Sequence, residues 1–580
     1  MATRAPIQIV QIDQDFCLES YGVSPCTASG AAGEECYNTL NTCQDTENFN
    51  KGTLTLSFGK QTDALPKDEY IIPSLVSVSA SPTIINAGGG SSTSSPLGVR
   101  STVSVTFLDH PHTDRLVDPY RTTRDYIATD RGTFWSKWIA RNKYFTNRIM
   151  RVLDGYEGQA LSEMQSRTYI IDSISGPNSN GSVTVKGKDI LRLADDDKAV
   201  APAASTGELI VDIDETQTTI RVTGALASAY PAPGYVRIGD EIISYSGVST
   251  ISDTEINLTG CARAVRGSEG STAEAEDRVQ WCLEYDDEKV ADIAYDLLTT
   301  YGNVPTAYID KTAWDDEGDI WLAQFNLSTL ITEPTGVTTL LAEISEQTLF
   351  YIWWDERAQL INFKAIRPAD DDEATKVNDR NNVIAGTTAM TIKSDERISQ
   401  VWLYWGVIDY SQDTEEEKNY RYIKVTANLE EESADRRGEQ VIKKIYSRWL
   451  QSNAQTINVA ARLLDQFIDD QEYMTVSLDA KDRALWTGDI VDLTHYNIVD
   501  FSGAPEERRW QVISADEIES GHIMQYKLQR YAYIIGTVYG RWMADDAPDY
   551  VDADDDEKKV GAWWSDEDGL IDGETGYNWL

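Results

Sequence analysis

Four cysteines close together near the start of the chain are the residues whose type and spacing point to chemistry. They are four of the six cysteines in the 580-residue sequence: Cys17, Cys26, Cys36 and Cys43. Thiolates are soft ligands, and a set of four suits a zinc ion or a [4Fe–4S] cluster. The segment that holds them, residues 16–49, is rich in Gly, Ser, Ala, Asn and Thr and has few large apolar side chains. Because it can bury little core, we expect cross-links or a bound metal to hold its shape.

The spacing of these cysteines leaves three kinds of cross-link open. Zinc ribbons and fingers usually pair their ligands in CxxC knuckles, whereas the gaps here hold eight, nine and six residues. Wide gaps let one loop surround a larger object, which favours a [4Fe–4S] cluster over a single zinc ion. Two disulfides in an oxidising medium are the third alternative. The first residues, MATRAPIQIVQIDQ, lack the apolar core of a secretory signal peptide, so we expect synthesis in a reducing cytosol, which favours the metal.

The charge of the chain excludes one class of partner. The sequence has 95 acidic and 51 basic residues, a net charge of −44. Surfaces that bind nucleic acid need clusters of Lys and Arg, so we do not expect nucleic acid as a bound partner. The charge is compatible with high solubility, with a salty habitat, or with a channel through which nucleic acid passes without sticking. The sequence contains no run of about 18 apolar residues, so we expect no stable membrane span.

No catalytic motif is present, and we predict a protein that is not an enzyme. The sequence contains no GxSxG elbow, no HExxH helix and no P-loop. His110 and His112 form an HxH pair that can ligate a metal, but without a third ligand we interpret them as a loop at the end of a strand. Asp240 and Glu241 follow a glycine and are interpreted as a hairpin turn. The two remaining cysteines are interpreted as buried thiols or as one domain-closing pair: Cys261 and Cys282.

Hydrophobic periodicity predicts a mainly β chain with α+β parts. Alternating apolar and polar residues predict strands at residues 52–58, 75–80, 100–107, 167–174, 181–186, 401–405, 422–427, 473–478, 489–494, 509–514 and 522–531. Apolar residues at helical spacing predict helices at residues 290–301, 337–347 and 453–469. The second of these helices leads into a predicted β-hairpin, LFYIWWDERAQLINFKAI.

Shifts in composition between these elements divide the chain into six parts, as its length also suggests. We expect a cysteine-rich cluster-binding segment at residues 1–60 and a first β-rich domain at 61–197. An inserted small β-barrel or sandwich module follows at 205–285. The remaining parts are an α+β domain at 286–390, a second β-barrel domain at 391–544 and an acidic, aromatic C-terminal arm at 545–580.

Two segments stand out by their local charge. Residues 132–151 form a basic island in an acidic chain: Lys137, Arg141, Lys143, Arg148 and Arg151. This island is interpreted either as a solvated basic face or as a docking face for an acidic partner. The arm from residue 545 holds 13 acids against two Lys, a composition typical of disorder. The aromatic residues spaced through it indicate an arm that orders against a partner.

Three of these stretches resemble parts of tail-tip hub proteins of long-tailed bacteriophages. The cysteine segment, which closes with Cys36 and Cys43 before NFNKGTLTLSF, resembles the cysteine-rich part of the lambda-type minor tail protein L family, which holds a [4Fe–4S] cluster. GYVRIGDEIISYSGV with LTGCARAVRGSEGSTA is similar to a small β-module of phage tail proteins. The helices, the hairpin, LWTGDIVDL and RRWQVISADEI resemble the framework of baseplate hubs. The resemblance covers about residues 15–60, 205–282 and 288–530.

The resemblance implies a structural virion protein of the tail tip, built in the cytoplasm of the host bacterium. It implies a homotrimer that closes the tail tube and joins the distal tail protein, the tape measure protein and a central fibre. The domains would be hub domains built as tube-type β-barrels, and DNA would pass at infection without being bound. The resemblance also implies that Cys17, Cys26, Cys36 and Cys43 ligate a [4Fe–4S] cluster.

One departure from that pattern concerns the position of the cysteines. In the lambda type the cysteine segment ends a separate protein above the hub, whereas here it opens the chain, which would be a fused arrangement. The alternative function is a secreted or virion adhesin, or a fibre-like protein, held by two disulfides and without metal.

Overall fold

The chain folds into several sheets joined by a few helices. The computed structural model describes residues 5–29, 35–67, 69–86, 97–369, 373–429, 432–433, 435–531, 541–542, 551–553 and 561–562. Within these residues the prediction of a mainly β, multidomain chain is confirmed. No helix among them is both long and apolar enough to cross a membrane. Most of the predicted arm at 545–580 lies outside the described residues, and the six predicted domain boundaries stay predictions.

The first sheet has eight strands and positions the cysteine segment. Its strands are β1 (Pro6–Cys17), β2 (Lys51–Gly59), β3 (Ile71–Ile72), β4 (Leu75–Ser81), β5 (Thr102–Leu108), β6 (Ile149–Tyr156), β7 (Gln165–Ser175) and β8 (Ser182–Lys188). Their order in the sheet is β3-β2-β1-β6-β7-β8-β5-β4. β1 and β2 are antiparallel neighbours, with Cys17 opposite Lys51. The cysteine segment is therefore the connection between two paired strands, and the sheet holds its two ends together.

The core of this sheet explains why β1 forms. Ile9, Val10 and Ile12 are fully buried, although the sequence prediction assigns no strand to this stretch. Helix α1 (Phe134–Arg141) covers the sheet. The ring of Trp135 on α1 lies 4.8 Å from that of Phe107, measured between centroids. Burial of this aromatic face fixes α1 beside the cysteine segment.

The inserted module is a pair of small sheets with its own core. After the short β9 (Val200–Ala201), its strands are β10 (Glu208–Leu209), β11 (Thr219–Thr223), β12 (Gly234–Ile238), β13 (Glu241–Tyr245), β14 (Gly247–Ser252), β15 (Glu255–Thr259) and β16 (Gln280–Lys289). β12 and β13 pair as a hairpin, which confirms the turn predicted at Asp240 and Glu241. The Glu241 carboxylate is buried, pairs with Arg263 and accepts hydrogen bonds from the N–H groups of Ala264 (3.0 Å) and Ser271 (3.0 Å). It fixes the loop that follows β15.

The central part of the chain is α+β. Its elements are α2 (Val290–Asp296), continued by one π-helical turn to Tyr301, then α3 (Lys311–Trp321), β17 (Asn326–Ile331), β18 (Thr335–Gly336), α4 (Val337–Thr348), β19 (Phe350–Asp355) and β20 (Leu360–Ala365). β17 joins β13, β12 and β16 in one sheet, and β18 pairs with β9. The predicted hairpin is β19 and β20, and both tryptophans of its WW pair are buried. Helix α3 is absent from the sequence prediction.

The last part holds a six-stranded and a three-stranded sheet. Its elements are β21 (Ala374–Asn378), β22 (Ala389–Lys393), β23 (Gln400–Val407), β24 (Tyr420–Ala427), β25 (Ile442–Ser447), α5 (Asn453–Phe467), β26 (Gln471–Asp479), β27 (Ile490–Val499), β28 (Pro505–Glu519), β29 (Ile523–Arg530), β30 (Arg541–Trp542) and β31 (Gly561–Ala562). The six-stranded order is β21-β27-β28-β29-β26-β22, and the three-stranded order is β24-β23-β25. α5 begins at a capping box in which Ser452 and Gln455 exchange hydrogen bonds of 3.2 Å.

A buried polar seam joins the first sheet to the last one. Arg167 on β7 forms a 2.7 Å ion pair with the fully buried Asp154 on β6. The Ser520 hydroxyl, from the turn after β28, donates to the same carboxylate over 2.7 Å. The N–H of Thr168 donates to the carbonyl of Glu356 in the turn after β19 (2.9 Å). These contacts fix the first sheet against the rest of the chain, so the cysteine segment has a rigid support.

Candidate metal centre

The structure brings the four predicted ligands together. All four cysteine side chains line one pocket that is open to solvent and has an empty volume of about 340 Å³. Cys17 and Cys36 are buried, while Cys26 and Cys43 are partly exposed. The pocket is lined as well by Glu19, Tyr21, Ala28, Asn38, Thr39, Gln44, Asp45, Asn48 and Phe49. Residues spread over a long loop thus converge on one site.

Short hydrogen bonds within the loop place the two buried cysteines. Cys17 is the last residue of β1, and its N–H donates to the carbonyl of Asn38 over 2.7 Å. The Asn38 amide donates in return to the carbonyl of Cys17 over 2.9 Å. Asn38 has a φ of +55°, a left-handed conformation that Asn tolerates. Its N–H also lies 3.3 Å from the sulfur of Cys36, and hydrogen bonds to cysteine sulfur are one means of tuning a cluster.

The two outer cysteines follow tight turns. The N–H of Cys26 donates to the carbonyl of Val23 over 2.9 Å, and that of Cys43 donates to the carbonyl of Leu40 over 3.2 Å. Asp45 then joins the two halves of the loop, because it accepts from the N–H (2.7 Å) and the hydroxyl (2.8 Å) of Thr27. Each cysteine is therefore held by backbone hydrogen bonds close to it.

A clamp of arginine and tyrosine side chains docks the segment onto the first sheet. The ring of Tyr37 lies between the guanidinium groups of Arg124 (4.4 Å) and Arg141 (3.9 Å). Arg124 donates to the carbonyl of Cys36 over 2.6 Å and pairs with the buried Asp118 over 3.0 Å. We call Tyr37, Arg124, Arg141 and Asp118 the Tyr37 clamp. It replaces the apolar core that the segment lacks.

Sequence reasoning misses this clamp. Its arginines come from two stretches far from the cysteines, and no motif connects them. The only available signal is Tyr37 itself, a large aromatic residue beside Cys36 in a segment of small residues.

Four of the five cations of the basic island form ion pairs within the fold, whereas Lys143 is exposed. The docking of an acidic partner on this island stays a prediction. The four cations pair with acids of the first sheet and of the loop before α1: Lys137 with Asp114 (2.6 Å), Arg141 with Asp114 (2.9 Å), Arg148 with Asp15, and Arg151 with Asp13 (3.1 Å). Burial alone would raise the pKa of Asp114, but the neighbouring side chains of His112 and Lys137 and the charge of Arg141 hold it well below its usual range. The island neutralises carboxylates under the cysteine segment.

The HxH pair is structural, as predicted. The Nδ1 atom of the buried His112 accepts from the N–H of Asp114 (3.0 Å), and its Nε2 atom lies 3.2 Å from the hydroxyl of Tyr70. Both ring nitrogens are therefore engaged by the protein.

The thiols of the pocket influence one another electrostatically. Burial raises the pKa of Cys36, and the negative charges that Cys43, Cys17 and Cys26 would carry raise it further. Burial raises the pKa of Cys43, and the negative charges that Cys17 and Cys26 would carry raise it further. The thiolate forms of Cys36 and Cys43 are therefore disfavoured in this pocket.

The remaining two cysteines are buried thiols, one of the two predicted alternatives. Burial raises the pKa of Cys261 to about 11 and that of Cys282 to about 12. Both belong to the module or its edge, away from the four-cysteine pocket, and both are free thiols.

Among the described residues, no group of three or more His, Cys, Asp or Glu side chains lies close enough to bind one metal ion. A single zinc ion needs its sulfur ligands about 2.3 Å away on every side, whereas a [4Fe–4S] cluster takes one thiolate at each of four irons. The choice between a cluster and a single ion stays a prediction.

Comparison with known proteins adds only remote likenesses. No protein-family model and no curated protein matches the sequence. Among solved structures, the chain is similar to a tail protein from Neisseria meningitidis MC58 (TM-score 0.38, 11% identity, 78% of this chain and 96% of the other). It is similar to the prophage MuSo2 43 kDa tail protein from Shewanella oneidensis (TM-score 0.34, 9% identity, 79% and 98%). A third is prophage tail protein gp18 from Listeria monocytogenes EGD-e (TM-score 0.29, 12% identity, 67% and 86%). Likenesses at this level carry no argument about fold or function.

Proposed function

We propose that this chain is a structural protein of the tail tip of a long-tailed bacteriophage, where it forms a trimeric hub. The observation that carries the proposal is the single pocket formed by Cys17, Cys26, Cys36 and Cys43. These are the residues on which the resemblance to the cysteine-rich part of lambda-type tail proteins depends. The solved structures named above bear descriptions of the same class, but the proposal does not rest on them.

In this proposal the four cysteine thiolates hold a [4Fe–4S] cluster as a structural staple. When bound, the cluster supplies four iron–thiolate bonds that join distant points of the loop. The chain's own residues do the rest: the pairing of β1 with β2 holds the ends of the loop, Asn38 ties Cys17 to Cys36, and Arg124 docks the loop onto the first sheet. In this proposal the cluster has a mechanical role and is not an electron carrier.

The net charge supports a channel for DNA. Each chain carries −44, and a trimer would carry about three times that charge. A lumen lined by carboxylates repels phosphate, so DNA passes without binding. The partners in this proposal are the distal tail ring, the tape measure protein and a central fibre, and the location is the tail tip of the virion.

Metal analysis tests the central part of the proposal. Protein purified without oxygen is expected to show a broad absorption band near about 400 nm, with about four irons and four sulfides per chain. The Cys36→Ser variant is expected to lose the band and most of the iron. Cys261→Ser is the matched control, because it also removes a buried thiol but lies outside the pocket.

Other results of the same analysis would overturn the cluster. One zinc per chain without a visible band would replace the cluster with a single ion and leave the hub in place. No metal, together with no free thiols among the four cysteines, would favour the disulfide-stapled adhesin.

The hub part of the proposal is tested by the number of copies of the chain in its complex and by the position of the chain on the virion. Analytical ultracentrifugation of the full chain with its neighbouring tail proteins is expected to show three copies per complex. Antibody labelling of virions is expected to mark one end of the tail. A chain that stays monomeric in that mixture, or label along the whole tail or on the capsid, would contradict the proposal.

A further inference from the structure

The three-stranded sheet β24-β23-β25 has one covered face and one open face. α5 and the large central core cover the face that carries Val401, Leu403 and Ile445, all fully or almost fully buried. The opposite face carries Trp402 and Tyr404 of β23, with Ile423 and Val425 of β24 directly across from them. Along the same face β25 contributes Ile442, Lys444 and Tyr446. An apolar face thus points away from the core.

The β24 side of this face is accessible to solvent, whereas Tyr404 of β23 is buried in a small aromatic cluster with Tyr420. Ile423 and Val425 are each 48% exposed, and Ile442 is 40% exposed. Contiguous exposed apolar side chains of this kind mark interaction sites on soluble proteins. Among the described residues, β24 also has a hydrogen-bonded neighbour on one side alone. Half of its backbone groups therefore point outward, a ready template for an additional strand.

The charge of β24 is opposite to that of the chain. The strand, YRYIKVTA, has two cations and no acid. Among the described residues, neither Arg421 nor Lys424 has an ion-pair partner, whereas four of the five cations of the basic island pair with an acid. Pairing of β24 with β24 of a second copy would bring four cations together, which is unfavourable. The edge suits an acidic partner.

We propose that the acidic, aromatic C-terminal segment of this chain, residues 563–580, binds along β24 as an added strand. The segment contains five acids and no Lys or Arg: Asp566, Glu567, Asp568, Asp572 and Glu574. It also contains four large aromatic residues: Trp563, Trp564, Tyr577 and Trp579. The acids complement Arg421 and Lys424, and the aromatic side chains cover the exposed face at Ile423 and Val425. The inference goes beyond the hub function and does not depend on it.

Hydrogen exchange of the full chain tests this placement. In the native sequence, the amides of residues 421–427 are expected to exchange slowly. A variant with all five acids neutralised (Asp to Asn, Glu to Gln) is expected to exchange about tenfold faster there, the scale of losing a few surface ion pairs. The double variant Arg421→Glu, Lys424→Glu is expected to do the same. High salt is expected to reduce the protection, because it screens exposed charges.

A charge swap makes the test specific. Combining Arg421→Glu and Lys424→Glu with Lys at the five acidic positions is expected to restore slow exchange. The matched control is Lys186→Glu, Lys527→Glu, which makes the same charge change at exposed cations of β8 and β29. Protection that rises with protein concentration indicates a segment from a neighbouring copy, and constant protection indicates the same copy; both support the inference.

Two outcomes would overturn it. Equal exchange of β24 in the native chain, the neutralised variant and the double variant would show that the segment does not bind there. Protection that persists in the neutralised variant and increases with concentration would assign the edge to a different surface of a second copy.

Discussion

The cysteine segment and the small β-module are both insertions of short strands and turns, yet they are held in different ways. The module buries a core of its own, in which Ile220, Val222, Ile256 and Leu258 are fully buried. The cysteine segment has no comparable core, and its Leu18 is 63% exposed. It depends on backbone hydrogen bonds, on the Tyr37 clamp and on four thiols around one pocket. An insertion can therefore be stabilised by apolar burial or by a set of directional contacts.

The largest difference in stability between the module and the cysteine segment is expected from removing apolar side chains. Ile256→Ala in the module should lower the free energy of unfolding by about 2 to 5 kcal/mol, because it leaves a cavity in a packed core. Leu18→Ala in the cysteine segment should change it by less than about 0.5 kcal/mol, because a side chain that is mostly exposed buries little apolar surface. Urea unfolding followed by hydrogen exchange of each region measures both. Equal losses in the two variants would contradict the comparison.

Removal of the Tyr37 clamp is expected to destabilise the cysteine segment and to leave the module unchanged. Arg124→Ala leaves the carboxylate of Asp118 buried without its partner and removes the hydrogen bond to Cys36, which should destabilise the segment by about 3 kcal/mol. Limited proteolysis within residues 18–50 should accelerate, while the module stays resistant. Arg124→Lys keeps the charge but loses the two-pronged geometry, so it should rescue only in part. Full rescue by Lys would show that charge alone holds the segment.

The docking of the module is expected to depend on one glycine. Gly267 has a φ of +86°, and a Cβ at this position would lie 1.7 Å from the carbonyl oxygen of Ile408. Gly267→Ala should therefore cost about 1 to 3 kcal/mol and loosen the module from β23, since neither the backbone conformation nor the contact accepts a methyl group. Gly239→Ala is the control, because its φ is also positive but nothing lies near its Cβ. Hydrogen exchange at residues 408–410 should increase in the first variant and stay unchanged in the second.

The smallest effect is expected from pH. The pKa of Cys261 is raised to about 11, above that of an unfolded thiol near 9. Its contribution to stability is therefore complete below about pH 9 and is lost as pH rises toward 11, about 1 to 2 kcal/mol at pH 10.5. Urea unfolding at pH 8 and pH 10.5 measures it, and Cys261→Ala should remove that part of the dependence. A dependence unchanged in Cys261→Ala would assign the effect to another group.

Thiol labelling of the folded protein compares the cysteines of the cysteine segment with the two cysteines of the module and its edge. In metal-free protein the partly exposed Cys26 and Cys43 should react with iodoacetamide, whereas Cys261 and Cys282 should react only after unfolding, because burial protects them. Mass spectrometry of peptides from the labelled protein identifies the sites. Labelling of Cys282 as fast as that of Cys26 would contradict the burial described above.

Local patterns of the sequence predict many elements of this fold. The apolar spacing from Val290 onward gives α2 with its π-helical extension, and the run from Asn453 gives α5 within two residues of its observed end. The predicted hairpin after α4 forms as β19 and β20. β1 is absent from the sequence prediction. α3 is absent as well, because its sequence, KTAWDDEGDIW, has a weak apolar face with one buried residue, Trp314.

The candidate site is predicted only in part. Its four cysteines are singled out by residue type and spacing alone, and their role as metal ligands stays a prediction. The support of the site does not follow from the sequence, because the partners of the basic island are Asp13, Asp15 and Asp114, which lie far from it in the sequence. A run of charged residues taken alone indicates a solvent-exposed surface, and only the folded structure shows with which acids its cations pair.

By itself, the sequence determined the four candidate thiols, the excess of negative charge and the strands and helices with clear periodicity, because each depends on residue type or on neighbours within a few positions. The tertiary structure decided that β1 and β2 lie side by side, that the four cysteines share one pocket, that Tyr37 lies between Arg124 and Arg141, and that β24 is an open edge. These features are contacts between residues distant in the chain. Their free energy comes from burial and ion pairing that exist only once the sheets have packed, so no local pattern records them.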